Sequence, residues 1–237
     1  MIDDGWLSAG EWEAIRLSLL VSVAAVVCSL PFGVALGWLL ARRWFRGKAV
    51  IETLVNLPLV LPPVVTGYLL LVTFGSQGWI GRFLVEVLGI RIVFTWKAAA
   101  LASAIVSFPL MVRTIRVAFT TVDPRLEGVG RTLGAGPFDT FFSVTLPLAR
   151  HGVIAGCVLA FARSMGEFGA TIMVAGSIPG ETRTVPLQIY QLLEAPGGIG
   201  KAQRIVVVSV LISAVALLVS EILVRREQRQ LGVEQPQ

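Results

Sequence analysis

LSLLVSVAAVVCSLPFGVALGWLLA, residues 17–41, runs for 25 positions without a charged side chain. A helix that crosses the ~30 Å hydrocarbon core of a bilayer needs about 20 mostly apolar residues, so this run is long enough to span. Four further segments qualify. Residues 53–81 are uncharged, and their first two-thirds form a second span. Residues 98–112 are shorter, but Lys97 and Arg113 at the two ends can snorkel to the interfaces. Residues 152–178 are interrupted by Arg163 and Glu167, and residues 205–224 contain only Glu221. With flanks included, the spans are expected at about 14–41, 50–74, 96–118, 148–178 and 203–225, within one transmembrane domain covering 1–237. Composition agrees: 55% of the 237 residues are hydrophobic and 15% charged, against about 25% charged in soluble domains, and the mean hydropathy is +0.78. The fold class expected is an all-α integral membrane protein with about five transmembrane helices.

The net charge of +5 does not indicate nucleic acid, because the basic residues cluster at the ends of the apolar segments. They set topology instead. Arg42, Arg43, Arg46, Lys48, Arg113, Arg116, Arg125, Arg131, Arg150, Arg225, Arg226 and Arg229 put twelve positive residues on one side, and seven fall on the other. The richer side should be cytoplasmic, which places the N-terminus outside and the C-terminus inside. The start, Met1-Ile2-Asp3-Asp4, lacks the basic region of a cleaved signal peptide, so the first span should be retained. An external loop at 76–95 should hold a short amphipathic helix around 80–88. A second external loop is expected at 177–203, and 232–237 reads as a disordered tail.

Catalytic chemistry is missing from the pattern. The one histidine, His151, lies at a membrane boundary and reads as an interfacial residue. Cys28 and Cys157 read as small buried apolar residues. No G-x-x-x-x-G-K-[ST] loop exists, so ATP hydrolysis is not expected of this chain, nor is any cofactor or metal.

The cytoplasmic segment 120–147 is different. Asp123 and Pro124 form a helix-start signal. Leu126, Val129 and Leu133 then share a face, and Gly134 suits a left-handed stop. Pro137 opens a second short helix carrying Phe138, Phe141 and Phe142, and Leu146-Pro147 leads into the fourth span. An aromatic, sparsely charged projection suggests either an interaction surface or a set of rings lying in the lipid interface.

Glu127, then Gly134, nine residues, and Val144-Thr145-Leu146-Pro147 together resemble the "EAA" loop of binding-protein-dependent importer permeases. The glutamate stands seven rather than six residues before the glycine, and Gly128, Val129 and Gly130 occupy the alanine region. The resemblance implies a type I ABC importer permease-like fold in a bacterial inner membrane. It also implies a homodimer, a separate ATPase subunit that docks on this loop, and an external substrate-binding protein. Carried over by position, Glu127, Arg131, Gly134, Phe138 and Pro147 would form the coupling element, Gly134 permitting the turn and Phe138 anchoring the contact.

Two stretches lie at membrane depth. Leu57-Pro58-Leu59-Val60-Leu61-Pro62-Pro63-Val64-Val65-Thr66-Gly67-Tyr68 must kink or break its helix, because proline cannot donate to the ladder. Carbonyls freed there are tolerated against protein or water, so Pro62, Pro63 and Thr66 either line a pathway or mark a packing kink. In Phe161-Ala162-Arg163-Ser164-Met165-Gly166-Glu167-Phe168-Gly169-Ala170-Thr171, Arg163 and Glu167 are one helical turn apart. They are either a stepping stone for an anion or a structural lock. Both stretches, with Pro179-Gly180-Glu181-Thr182-Arg183-Thr184-Val185-Pro186 and Ile189-Tyr190, resemble molybdate permeases, and sulfate and thiosulfate permeases more loosely. The resemblance implies transport of molybdate, with tungstate or sulfate as alternatives. An ion-coupled carrier without an ATPase would need paired acidic residues within spans, and only Glu167 and Glu221 are available.

Overall fold

The computed structural model describes residues 7–230. Asp3, Asp4 and the tail at 232–237 lie outside the described residues. Among those described, all the regular secondary structure is helical.

Helix α1, Ala9–Arg42, starts with a reciprocal cap: Glu11 N–H donates to Ser8 Oγ, and Ser8 N–H donates to Glu11 Oε2 at 2.7 Å. That box satisfies two orphan donors and extends the helix one turn beyond the expected span. At 1.5 Å per residue its 34 residues reach about 50 Å, more than the hydrocarbon core. The proline stretch then splits the second span into α2, Lys48–Val60, and α3, Pro63–Phe74, which meet at 111°. Leu61 and Pro62 form the corner. A short helix α4, Trp79–Leu88, follows, and α5, Trp96–Thr121, is the best-buried span.

The segment at 120–147 folds as α6, Pro124–Thr132, then α7, Pro137–Thr140. A π-helical turn, Phe141–Thr145, runs without interruption into α8, Leu146–Met165. The chain breaks at Gly166 and resumes as α9, Gly169–Ala175. The expected loop at 177–203 is only partly a loop: Val185–Glu194 form α10, opened by Pro186 in its first turn. Helix α11, Gly198–Gln230, completes the chain. Among the described residues, four helices are long and apolar enough to cross a membrane, or five if the bent pair α2–α3 counts as one span.

Helix α5 is central, with α1 and α8 packed along it. Small residues let the backbones approach, as membrane helices require where no hydrophobic drive exists between them. Gly33 and Gly37 of α1 lie on Met111 and Ile115 of α5, and Ala98, Ala99 and Ala102 are fully buried. One apolar cluster joins Val21, Leu70, Val106 and Val174; another joins Met111, Ile115, Phe119 and Ala160. Cys28 corrects its sequence reading. It is exposed, because the buried stripe of α1 runs through Val21, Ala25, Ser29 and Gly33. Within a span an apolar run does not distinguish the packed face from the lipid face.

Candidate functional site

The loop at 120–147 is built from its caps inward. Arg125 N–H donates to Asp123 Oδ1 at 2.9 Å, which caps α6. Gly134 adopts φ +91°, a left-handed turn that a side chain would strain, and redirects the chain toward Pro137. Helix α6 presents Leu126, Val129 and Leu133 outward, with Leu133 84% exposed. The three phenylalanines separate by face. Phe138 and Phe142, four residues apart, point out, and Phe138 is 81% exposed. Phe141 points in, meeting Trp38 edge-on at 5.9 Å and Phe119 at 6.0 Å. Between the outer rings and α1 lies a groove of about 310 Å³, lined by Trp38, Arg131, Phe138 and Phe142 among others. Arg131 and Pro147 are exposed.

Glu127 does not share that outward face. Its Oε1 lies 3.0 Å from Arg42 Nη2 and accepts the Thr145 hydroxyl at 3.0 Å. The same Arg42 nitrogen donates to the Val122 carbonyl at 2.8 Å. The sequence reading used Arg42 only as a topological charge, since nothing in the order of residues brings position 42 to position 127.

The second group of residues lies where two helices break. Pro63, at the start of α3, abuts Gly169, at the start of α9. One turn further along α3, Gly67 lies so close to α9 that a Cβ there would stand 2.6 Å from the Ala170 carbonyl oxygen. The two broken spans therefore touch at their corners. Thr66 is buried, and its hydroxyl has no hydrogen-bond partner among the described residues; Thr171 of α9 is in the same state.

Arg163 and Glu167 are brought together, but not on one continuous helix as the sequence reading had it. Helix α8 ends at Met165, and Glu167 sits in the gap before α9. Its Oε1 accepts the Ala170 N–H at 2.8 Å, and its Oε2 stands 2.8 Å from Arg163 Nη1. The latter is an ion pair by distance without the alignment of a hydrogen bond. Glu167 is 2% exposed, whereas the Arg163 side chain keeps 30% of its surface. Next to it, Ser164 donates to Ser107 of α5 at 3.2 Å. The signal for this break was present in Gly166-Glu167-Phe168-Gly169, a charge between two glycines.

Among the described residues, no group of three histidine, cysteine or carboxylate side chains could hold a metal. An exposed apolar loop on one side and paired helix breaks within the spans are parts suited to transport. The model for the "binding-protein-dependent transport system inner membrane component" family matches residues 33–229. The chain belongs to that family. The Escherichia coli K12 protein described as "Molybdenum transport system permease protein ModB" is 52% identical over 226 residues, covering 95% of this chain and 99% of that one. The Haemophilus influenzae protein of the same description is 48% identical, covering 94% and 97%. Solved structures share the fold at lower identity. A chain of the inward-facing MetNI methionine ABC transporter aligns with TM-score 0.63 and 18% identity, over 92% of this chain and 94% of its own length. A chain of a bacterial alginate ABC transporter, in complex with its alginate-bound periplasmic protein, aligns with TM-score 0.68 and 17% identity, over 97% and 82%. This permease therefore has the all-α fold of ABC importer membrane subunits and is a multi-pass inner-membrane protein.

Proposed function

We propose that this permease forms the membrane pathway of an ATP-driven importer for molybdate. It works as a homodimer, with a separate ATPase subunit on the cytoplasmic side and a substrate-binding protein outside. The observation that carries the reading is the 52% identity to the Escherichia coli molybdenum permease along nearly the whole of both chains. Hydrolysis of ATP belongs to the partner subunit. The N-terminus lies outside and the C-terminus inside, in keeping with twelve positive residues against seven.

On this reading the exposed surface around Arg131, Gly134, Phe138 and Pro147 receives the ATPase. Phe138 is the anchor, since large exposed aromatics dominate the energetics of such contacts. The corner formed by Pro62, Pro63 and Thr66 borders the pathway, against the break held by Arg163 and Glu167. Glu167 binds both sides of that break, so the pair acts as a lock between α8 and α9. The carboxylate also tempers the arginine: a dianion passing nearby meets a neutralised charge and is not trapped.

The test is transport in proteoliposomes that contain the permease, its ATPase and its binding protein. Molybdate uptake should depend on ATP and resist excess sulfate. A cyanobacterial "Sulfate transport system permease protein CysW" is 40% identical over 76% of this chain, so equal or faster sulfate uptake would move the assignment to that anion. Failure of any ATPase to purify with the permease would remove the importer reading.

A further inference from the structure

The loop carries one charged residue that its outer surface does not use. We propose that Glu127 is a positioning residue. It joins the cytoplasmic loop rigidly to the spans and does not serve as a contact to the ATPase. The proposal rests on the reading of this loop as the ATPase-coupling element and assigns the carboxylate an inward task.

Helices α1 and α6 and the π-helical turn meet at this one carboxylate, and Arg42 ties in the corner between α5 and α6. Arg42 is the last residue of α1; Val122 forms the corner between α5 and α6; Glu127 is in α6; Thr145 ends the π-helical turn before α8. Glu127 Oε1 holds both Arg42, at 3.0 Å, and the Thr145 hydroxyl, at 3.0 Å. Arg42 carries the connection on to the Val122 carbonyl at 2.8 Å. The side chains of Arg42 and Glu127 are only 12% and 13% exposed, and Thr145 and Val122 are buried. Glu127 contributes to the lining of the groove beside Phe138, and its Oε1 is committed to both Arg42 and Thr145.

Helical phase explains the arrangement. A residue on an α-helix is rotated by about 100° from its neighbour. Leu126, Gly128 and Val129 of α6 are exposed, whereas Glu127 and Gly130, three apart, lie against the protein, and Gly130 approaches Thr140 and Val144. Glu127 and Gly130 therefore lie on the inner face of α6. A parallel apolar tie joins the same elements, since Phe141 bridges Trp38 of α1 and Phe119 of α5. A push on Phe138 or Leu133 is thereby delivered to α1, α5 and α8 together. Loss of the carboxylate should loosen that delivery without unfolding the loop.

The experiment uses the assembled complex of permease, ATPase and binding protein in proteoliposomes, measuring ATPase co-purification and molybdate transported per ATP hydrolysed. Glu127→Gln should lower transport per ATP by about tenfold, the scale of one lost hydrogen bond to a charged group, while the ATPase still co-purifies. Arg42→Gln, outside the loop, should reproduce the same defect. The double variant should be no worse than either single one, because residues of one network are not additive. Arg42→Lys should recover most of the coupling. The proposal is overturned if Glu127→Gln releases the ATPase while Arg42→Gln does not, or if the two defects multiply. Should Glu127→Gln fail to accumulate, Thr145→Val removes one bond from the same node. Lower transport per ATP with the ATPase retained supports the clamp, and unchanged coupling overturns it. If no ATPase purifies with the unaltered permease, the importer reading falls and takes the clamp with it; if the ATPase is present and the two phenotypes part, only the clamp falls.

Discussion

Replacing Glu167 by glutamine separates the two tasks open to the intramembrane ion pair. Glutamine keeps an oxygen for the Ala170 N–H, which Glu167 accepts at 2.8 Å, so the start of α9 stays capped. What disappears is the charge opposite Arg163, now 2.8 Å away. Breaking a buried pair from one side costs about 3–5 kcal/mol, and a lone arginine at the centre of a spanning helix costs about 2.5–3.5 kcal/mol on insertion scales. The Arg163 side chain retains 30% exposure, which puts the expected loss near the lower end, about 2.5 kcal/mol. For a chain of this size each kcal/mol moves the melting midpoint by about 2–4 °C, so Glu167→Gln should melt about 5–10 °C lower in detergent. Joined with Arg163→Gln, the loss should shrink to about 1 kcal/mol or less, because both charges leave the bilayer together. The assay is thermal unfolding of the purified chain, followed by uptake in proteoliposomes. A double variant that melts as low as the summed single variants would refute the lock, as would a Glu167→Gln midpoint equal to the parent. Uptake then decides the second point. A stable double variant that still transports leaves the lock as the pair's whole task, whereas one that is stable but silent makes the Arg163 charge part of the path.

Three other outcomes follow from the same geometry. Gly67→Ala places a methyl 2.6 Å from the Ala170 carbonyl oxygen, and overpacking of this kind costs about 1–3 kcal/mol; both the melting midpoint and the uptake rate should fall, and an unchanged midpoint would show that α3 can move away from α9 freely. Phe138→Ala should leave the midpoint within about 0.5 kcal/mol of the parent, as at other exposed positions, yet reduce ATPase co-purification by tenfold or more, since an aromatic anchor is worth about 2 kcal/mol or more. Outside the spans, the hydrogen bond and negative charge of Glu194 raise the Tyr190 phenol above its ordinary range. Glu194→Gln should therefore let Tyr190 ionise at lower pH, as read by ultraviolet titration in a Tyr68→Phe background.

The sequence made the spans legible because membrane insertion is a condition on length and charge, and both can be counted along a chain. The prolines at 62 and 63 likewise announced the break between α2 and α3, since a missing N–H is a property of the residue itself, whereas Pro58 lies within α2. The break after α8 was less visible. Gly166 and Gly169 permit it, but what holds it open is the Glu167 carboxylate capping Ala170, a bond that forms only once the helix has ended. The buried and lipid-facing sides of α1 were not legible at all. Cys28 and Ser29 are adjacent and equally compatible with a span, and packing against α5 alone decides that Ser29 is buried.

The loop at 120–147 shows how a visible feature can be read without its consequence. The glutamate stands seven residues before Gly134, and that spacing can be counted directly in the sequence. Its meaning depends on two things that spacing does not contain: the phase at which α6 lies against the protein, and the position of Arg42, which comes 85 residues earlier in the chain by its numbering. Given the phase, a shift of one residue turns a side chain by about 100°, enough to exchange the outer face for the inner one. Given Arg42, an inward carboxylate has an ion-pair partner at 3.0 Å. Without Arg42 the same rotation would bury an unpaired charge, which is strongly unfavourable. The inward phase of the glutamate and the arginine that meets it are therefore one feature in energetic terms.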